Sequence, residues 1–429
     1  MKRCCWLLVL TILFVCLLAG CAEEIEGFGS ELLYAPEISQ EQQAIQQTIR
    51  DYLGENITLK YPMSETSSSP FYWWDADGDG IQELVVLYQN TAKSKNVQLA
   101  VLCQGDDGWY AAHLDVEGAA GDVDGLRSVR LGDGQEYLLA AYQDSTGMDW
   151  TVCLYAWRNG ALRECERQVC QQYVAADPEG DGCDQLMLVQ YNEMYGNLQL
   201  RVYDAPQEKN AEAALAERSV TILDSRFERC HFMQLNALES GGVSLVMDFT
   251  DGSGSSLGEV LNYQNGRFIR CYTTDGSNIP NFTARPFLGL LPADQDGDGS
   301  LELPRVETQV FGSGAPVRFY FVSWYRISAG ETQLRDYTLV DVQERYVLRL
   351  PAAWRGQVML QADGGGVWSL RFIENGARRA WFCLTEEKPD SDYLVVSSID
   401  NLQFCLQFAE QTELDDRVIL LGGLRLLYD

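Results

Sequence analysis

The stretch FYWWDADGDGIQELVVLYQ, residues 71–89, decides how the rest of the chain is read. It sets an aromatic run, a tight acidic loop and a long apolar run in immediate succession. Val85, Val86, Leu87 and Tyr88 are strong β-formers, and apolar runs of this length bounded by Gly and Asp read as strands. Between the two runs, Asp75, Asp77, Asp79 and Glu83 occupy positions 1, 3, 5 and 9 of one loop. Such spacing turns several oxygens inward. Gly80, at position 6, permits the sharp turn, and the Ile81 carbonyl at position 7 adds another oxygen. Hard-oxygen ligands of this kind suit Ca²⁺, which takes six to eight oxygens at about 2.3–2.6 Å.

The same pattern recurs twice. DQDGDGSLEL, residues 294–303, is a second intact copy, with Asp294, Asp296, Asp298, Glu302 and the Ser300 carbonyl as candidate ligands. DPEGDGCDQL, residues 177–186, is degenerate: Asp177, Glu179 and Asp181 remain, but Gln185 stands at position 9. That copy is the weaker candidate. An EF-hand fits poorly, because it needs a bidentate Glu at position 12 and a following helix. Val86 and Arg305 stand at position 12, and LVVLY reads as a strand.

Around these loops, short β-rich runs recur: VQLAVLCQ, EYLLAAYQ, WTVCLYAW, QLMLVQY, LQLRVYD, GVSLVMDF and VRFYFVSWY. They fall into groups beginning near Phe71, Asp122, Cys170, Glu228 and Phe282, at spacings of 48 to 58 residues. A four-stranded unit at a pitch near 50 suits a propeller blade. The expected fold is therefore all-β, a β-propeller-like array of about five four-stranded blades over residues 70–342. The acidic loops would sit in alternate units. Pro304 lies just inside the strand after the third loop, which predicts a bulge or a short strand there. The last stretch, 343–429, contains strands but no acidic loop and reads as a C-terminal β-rich domain.

One helix is expected before the sheets, over residues 39–53, with Ser39 as N-cap and Gln42 completing a capping box. Ala44, Ile45, Ile49, Tyr52 and Leu53 form its apolar stripe. Residues 64–69 (SETSSS) read as a linker, closing a helix-and-linker segment over 39–69. A second helix is expected over 210–217 (NAEAALAE).

The loop pattern DxDGDGxxE followed by an apolar residue resembles the FG-GAP/VCBS-type calcium loops of integrin-like β-propellers. There the loop joins the first and second strands of a blade. The resemblance implies that Asp75, Asp77, Asp79, Glu83 and the Ile81 carbonyl bind Ca²⁺, as do Asp294, Asp296, Asp298, Glu302 and the Ser300 carbonyl. The whole layout also resembles lipoproteins of Gram-positive, clostridia-type bacteria, which implies a cell-surface role and supplies no activity.

The N-terminus supports that placement. Lys2 and Arg3 precede an apolar run from Trp6 to Ala19, too short to span a bilayer but suited to a secretory signal. It ends in Leu18-Ala19-Gly20-Cys21, which resembles the bacterial lipobox. Residues 1–20 are expected to be a signal peptide, Cys21 the lipidated residue, and 21–38 a tether. Two acyl chains on Cys21 would hold the protein at the extracytoplasmic face of the cell membrane without a basic patch.

Composition removes other classes. The 429 residues carry 62 Asp+Glu against 32 Lys+Arg, a formal charge of −30, which repels nucleic acid. Loss of Lys2 and Arg3 with the leader would make it −32. Only His113 and His231 are histidines. No GxSxG elbow, HExxH pair, P-loop or Rossmann fingerprint is present. Nine cysteines follow Cys21, several inside apolar runs, and read as small buried hydrophobes. The favoured function is a non-enzymatic binding module for a surface protein or glycan, stabilised by Ca²⁺. The alternatives are a propeller carbohydrate-active enzyme and an accessory protein of an envelope complex.

Overall fold

The computed structural model describes residues 39–63, 69–132, 134–206, 215–238, 241–307, 318–328, 331–387, 390, 392–399 and 402–426. The signal peptide, Cys21 and the tether lie outside the described residues, as does most of the 64–69 linker. Among the described residues no helix is long and apolar enough to cross a membrane.

Helix α1 runs from Gln40 to Leu53. Ser39 Oγ accepts from the Gln42 amide (3.1 Å), and Gln42 Oε1 accepts from the Ser39 amide (3.0 Å), so the expected capping box is formed. Its buried face is Ile45, Thr48, Ile49 and Leu53. Ala44 and Tyr52, expected in the stripe, are exposed. Thr48 takes their place because its hydroxyl donates to the Ala44 and Trp109 carbonyls. Helix α1 and residues 103–111 belong to one compact unit, and a second compact unit holds residues 57–102 and 112–429.

The strands form six antiparallel sheets. The first contains β1 (Thr58–Leu59), β2 (Phe71–Trp74), β3 (Glu83–Gln89), β4 (Gln98–Gly105) and β5 (Gly108–Glu117). There β1 and β2 lie end to end along one edge of β3. The second is β6 (Asp122–Arg130) to β7 (Glu136–Gln143), β8 (Trp150–Arg158) and β9 (Ala161–Cys170). The third is β10 (Gln172–Ala176), β11 (Gln185–Asn192), β12 (Asn197–Asp204) and β13 (Ala216–Ile222). The fourth is β14 (Phe227–Ala237), β15 (Val243–Asp251), β16 (Ser256–Gln264) and β17 (Arg267–Arg270). A short helix α2 (Ile279–Thr283) precedes the fifth, which holds β18 (Leu303–Val306), β19 (Phe319–Ser328), β20 (Glu331–Asp341) and β21 (Tyr346–Arg349). The sixth comprises β22 (Val358–Gly364), β23 (Val367–Phe372), β24 (Arg378–Thr385), β25 (Leu394–Ile399) and β26 (Leu402–Phe408). Helix α3 (Leu414–Gly422) then leads to β27 (Leu424–Leu426), which pairs with β21 and so joins the fifth sheet.

From the second sheet to the sixth, neighbouring sheets share cores face to face, as blades of a propeller do. On β11, Leu186 and Leu188 enter a core shared with the second sheet, while Met187 and Val189 enter one shared with the fourth. Alternate side chains of one strand thus serve opposite neighbours, because successive Cβ atoms point to opposite faces. Both faces are buried, so the central strands read as continuous apolar runs instead of alternating ones. Each Leu or Val so buried contributes about 1.5–3 kcal/mol. The fourth and fifth sheets share Val246, Val260, Leu303 and Ile327, and the fifth and sixth share Phe319, Leu339, Phe382 and Phe404.

Several expectations change. Phe282 does not open a blade; it sits in α2, which Asn278 caps through its side chain with Pro280 in the first turn. The fifth sheet begins at Leu303 instead. The boundary expected at residue 343 falls in the turn between β20 and β21, so Tyr346–Arg349 belongs to the fifth sheet and the region beyond packs on it as a sixth. Residues 210–214 of the expected second helix lie outside the described residues, and its last two, Ala216 and Glu217, open strand β13. None of the nine cysteines forms a disulfide, and seven of them are buried.

Candidate metal centre

Each acidic loop is clamped by the register of the strands around it. The residue before position 1 pairs with position 9 in all three: Trp74 with Glu83, Ala176 with Gln185, and Ala293 with Glu302. In the first and third sheets this pair closes a strand–loop–strand connection. In the fifth sheet the first strand is reduced to the single bridge at Ala293. That leaves the four-residue β18 on the sheet edge, where Pro304 is tolerated because an edge strand can lack an amide donor. The short strand expected at Pro304 is therefore present.

Inside the loops the backbone winds around position 1. Asp75 accepts from the Gly78 and Gly80 amides, at 2.9 and 3.1 Å. Asp294 accepts from Gly297 and Gly299 (both 2.8 Å), and Asp177 from Gly180 and Gly182 at 2.6 and 2.7 Å. Positions 4 and 6 have φ between +72° and +87° in every copy, the left-handed region that favours glycine. Position 5 caps its own loop: Asp79, Asp181 and Asp298 each accept from the position-7 amide at 2.7–3.0 Å.

Position 9 completes the cage from below. Glu83 is 5% exposed and Glu302 is fully buried. Each accepts from the position-2 amide: Ala76 to Glu83 at 2.7 Å, and Gln295 to Glu302 at 2.9 Å. The middle loop has Pro178 at position 2, which has no amide proton to give. Its position 9 is correspondingly Gln185, which bonds elsewhere.

The structure draws one carboxylate oxygen each from Asp75, Asp77 and Glu83 within 4.8 Å of one another, and likewise from Asp294, Asp296 and Glu302. Oxygens that close can share an ion lying about 2.4 Å from each. Asp79 and Asp298 are outside these triads. Asp177, Glu179 and Asp181 form no such group among the described residues.

Electrostatics separates the loops further. Burial pushes the Glu83 carboxyl above its usual range, the Ala76 amide pulls it back, and the charges of Asp77 and Asp79 push it up again. Among the described residues, none of the four acids of the first loop has an ion-pair partner. In the third loop Arg326, itself 5% exposed, binds Asp298 and lies 2.9 Å from Glu302 Oε1. Arg335 bonds Asp296 (2.6 Å) and Asp298 (3.1 Å). The Arg326 bond holds Asp298 below the usual carboxylate range. In the middle loop Arg218 pairs with Glu179 at 2.5 Å, and the Tyr263 hydroxyl donates to Glu179 (3.0 Å) and accepts from Gln185 Nε2 (3.1 Å). None of these partners was picked out from the sequence, since the arginines lie on later strands of the same sheet and Tyr263 on β16 of the fourth sheet.

The two histidines serve the sheets. His113 Nδ1 accepts from the Leu162 amide, and His231 Nε2 bonds the Thr250 hydroxyl.

No protein-family model and no curated protein matches the chain. Among solved structures, a protein from Lactobacillus plantarum is 13% identical over 82% of this chain and 98% of its own, with a TM-score of 0.28. A rhamnogalacturonan lyase is 14% identical, covering 77% of this chain and 72% of its own, at 0.27. An exo-β-1,3-galactanase from Phanerochaete chrysosporium is 10% identical, covering 83% and 91%, at 0.28. Likenesses this shallow say nothing about the activity of this chain, and its fold rests on the sheets described above.

Proposed function

We propose that this chain is a lipid-anchored, extracytoplasmic binding module whose sheet array is stabilised by Ca²⁺ at the loop of Asp75, Asp77, Asp79 and Glu83. The observation that carries the calcium reading is the Asp75–Asp77–Glu83 triad. It is a wound, register-clamped cage of negative charge with no basic partner among the described residues. An ion there would neutralise the carboxylates and pin the β2–β3 connection, adding stability by linkage. Oxygen donors alone, in a loop with an exposed mouth, suit Ca²⁺ better than Mg²⁺, which demands a strict octahedron at shorter distances.

The ligand-binding part of the proposal draws on a cleft of about 490 Å³ between the second, third and fourth sheets. Gln168, Gln190, Arg201, Arg229 and the rings of Tyr191 and Tyr203 line it, a surface of amide, guanidinium and aromatic groups that suits a hydroxyl-rich glycan. The enzyme alternative would need two facing carboxylates there. Of the two in the cleft, Asp149 is ion-paired to Arg229 at 3.2 Å. The membrane anchor follows from Cys21 and the leader.

Melting of the purified extracytoplasmic part with Ca²⁺ and then EGTA tests the metal reading. A reversible rise, abolished in Asp77→Asn, is the expected result, and no shift at millimolar Ca²⁺ would overturn it. Glycan-array binding that is lost in Tyr191→Ala and Arg201→Ala is expected for the cleft. Turnover of a bound glycan would favour the enzyme. Palmitate labelling lost in Cys21→Ala checks the anchor.

A further inference from the structure

The two intact loops are alike in sequence, yet the charges that surround them differ. In the fifth sheet, β19 and β20 send two arginines into the loop. Arg335 is the extra residue of a β-bulge: Trp324 pairs with Asp336 and Tyr325 with Leu334, leaving Arg335 unmatched. A bulge re-aims its side chain, and this one reaches the position-3 and position-5 carboxylates. The third sheet repeats the device. Val202 pairs with Ser219 and Tyr203 with Glu217, so Arg218 is the unmatched residue, and it reaches position 3 of its own loop, Glu179. The two bulges occupy equivalent places, since Tyr203 pairs with Leu186 and Tyr325 with Leu303, each the first residue after position 9.

Arg326 adds a second charge in the fifth sheet. Its guanidinium lies among Asp296 (3.8 Å), Asp298 and Glu302 (2.9 Å), against the same carboxylates that an ion would need. Two guanidinium charges also equal the charge of one divalent ion. In the first sheet, β4 (QLAVLCQG) and β5 (GWYAAHLDVE) contain no lysine or arginine at all.

We infer that the loop at 294–302 is not a calcium site: Arg326 and Arg335 are its built-in cation, and the protein takes one Ca²⁺, at 75–83. A cation approaching Glu302 meets a buried guanidinium already bonded to it, and Asp298 and Asp296 Oδ2 are engaged by arginines, which leaves Asp296 Oδ1 as the carboxylate oxygen without a hydrogen bond, 3.8 Å from Arg326. Arg218 does the same for the degenerate loop, where the position-9 carboxylate is also missing. The family pattern of one ion per intact loop therefore fails at 294–302 for a reason that lies outside the loop. This inference rests on the reading that the loop at 75–83 binds the ion.

The test is calcium stoichiometry by isothermal titration and by equilibrium dialysis with radioactive Ca²⁺, on the extracytoplasmic part of the chain. The wild type is expected to bind one ion, Asp77→Asn none, and Asp296→Asn still one. The double variant Arg326→Gln/Arg335→Gln is expected to bind two. Two ions in the wild type, one of them lost in Asp296→Asn, would overturn the inference while leaving the first loop intact. No ion in the wild type would overturn the calcium reading of the first loop instead. A folded double variant that still binds one ion would show that the arginines do not exclude the metal. Should the double variant fail to fold, the wild type and Asp296→Asn decide the matter.

Discussion

Loops 75–83 and 294–302 share the same acids at the same positions, the same wound backbone and the same pairing of position 9 with the residue before position 1. One is a cluster of carboxylates without a counter-charge among the described residues, and the other is filled by two arginines from its own sheet. The difference teaches that a ligand motif describes half of a site. The other half is what the neighbouring strands place opposite it.

The largest effect should come from emptying the filled loop. Arg326→Ala leaves Glu302 fully buried without its cation and Asp298 with Arg335 alone, and breaking a buried pair from one side costs about 3–5 kcal/mol. Urea denaturation in EGTA should show a loss of that order with an unchanged slope. A loss under 1 kcal/mol would mean that the two loops are electrostatically equivalent after all. Next comes the open loop. Calcium at a hundred times its dissociation constant should stabilise the wild type by about 2.7 kcal/mol. Asp77→Asn should remove that gain, and Asp296→Asn should keep it.

Acid separates Glu83 from Asp298 by sign, while Glu302, buried like Glu83, is pushed up in the same direction as Glu83. Without calcium, Glu83 holds its proton more tightly in the folded chain, chiefly through burial. Its contribution is fully present below the unfolded value, near 4.5, and is lost as pH rises through the folded one. Asp298 is held low by Arg326, so its contribution is present above the unfolded value, near 3.8, and is lost as pH falls through the folded one. Denaturation midpoints between pH 3 and 7 in EGTA should therefore tilt oppositely in Glu83→Gln and Asp298→Asn. Parallel tilts would erase the distinction. The smallest expected effect is in the degenerate loop. Tyr263→Phe removes hydrogen bonds to Glu179 and Gln185 and should cost about 0.5–1.5 kcal/mol, with no change in calcium uptake.

Much of this was legible in the sequence. Strands β2, β6, β10 and β14 start within two residues of Phe71, Asp122, Cys170 and Glu228, because each opens after a turn-rich break and leads into an apolar run, while β1 at Thr58–Leu59 joins the first sheet from within the expected 39–69 helix-and-linker segment. The loop windings follow from Asp at position 1 and Gly at positions 4 and 6. The fifth start was misread because NFTARPF looks β-rich, while Asn278 and Pro280 instead start a one-turn helix. The arginines were hidden for a different reason. Arg326 and Arg335 lie 24 and 33 positions after Glu302, and only strand register and a bulge bring them back to it. Thr48 in the α1 face was missed because a hydrophobic stripe does not reveal a hydroxyl that finds two carbonyls.

The return of β27 to the fifth sheet bears on how the chain assembles. Leu348 pairs with Leu424, 76 positions later, after the whole sixth sheet has intervened. A chain emerging from its N-terminus can complete the first four sheets one after another, each from local hairpins. The fifth cannot finish its edge until the sixth has been made. Contacts between such distant positions form slowly, because loop closure comes before any gain from pairing. The last two sheets are therefore the slow, cooperative end of folding, and the strand at 424–426 is the latch that closes it.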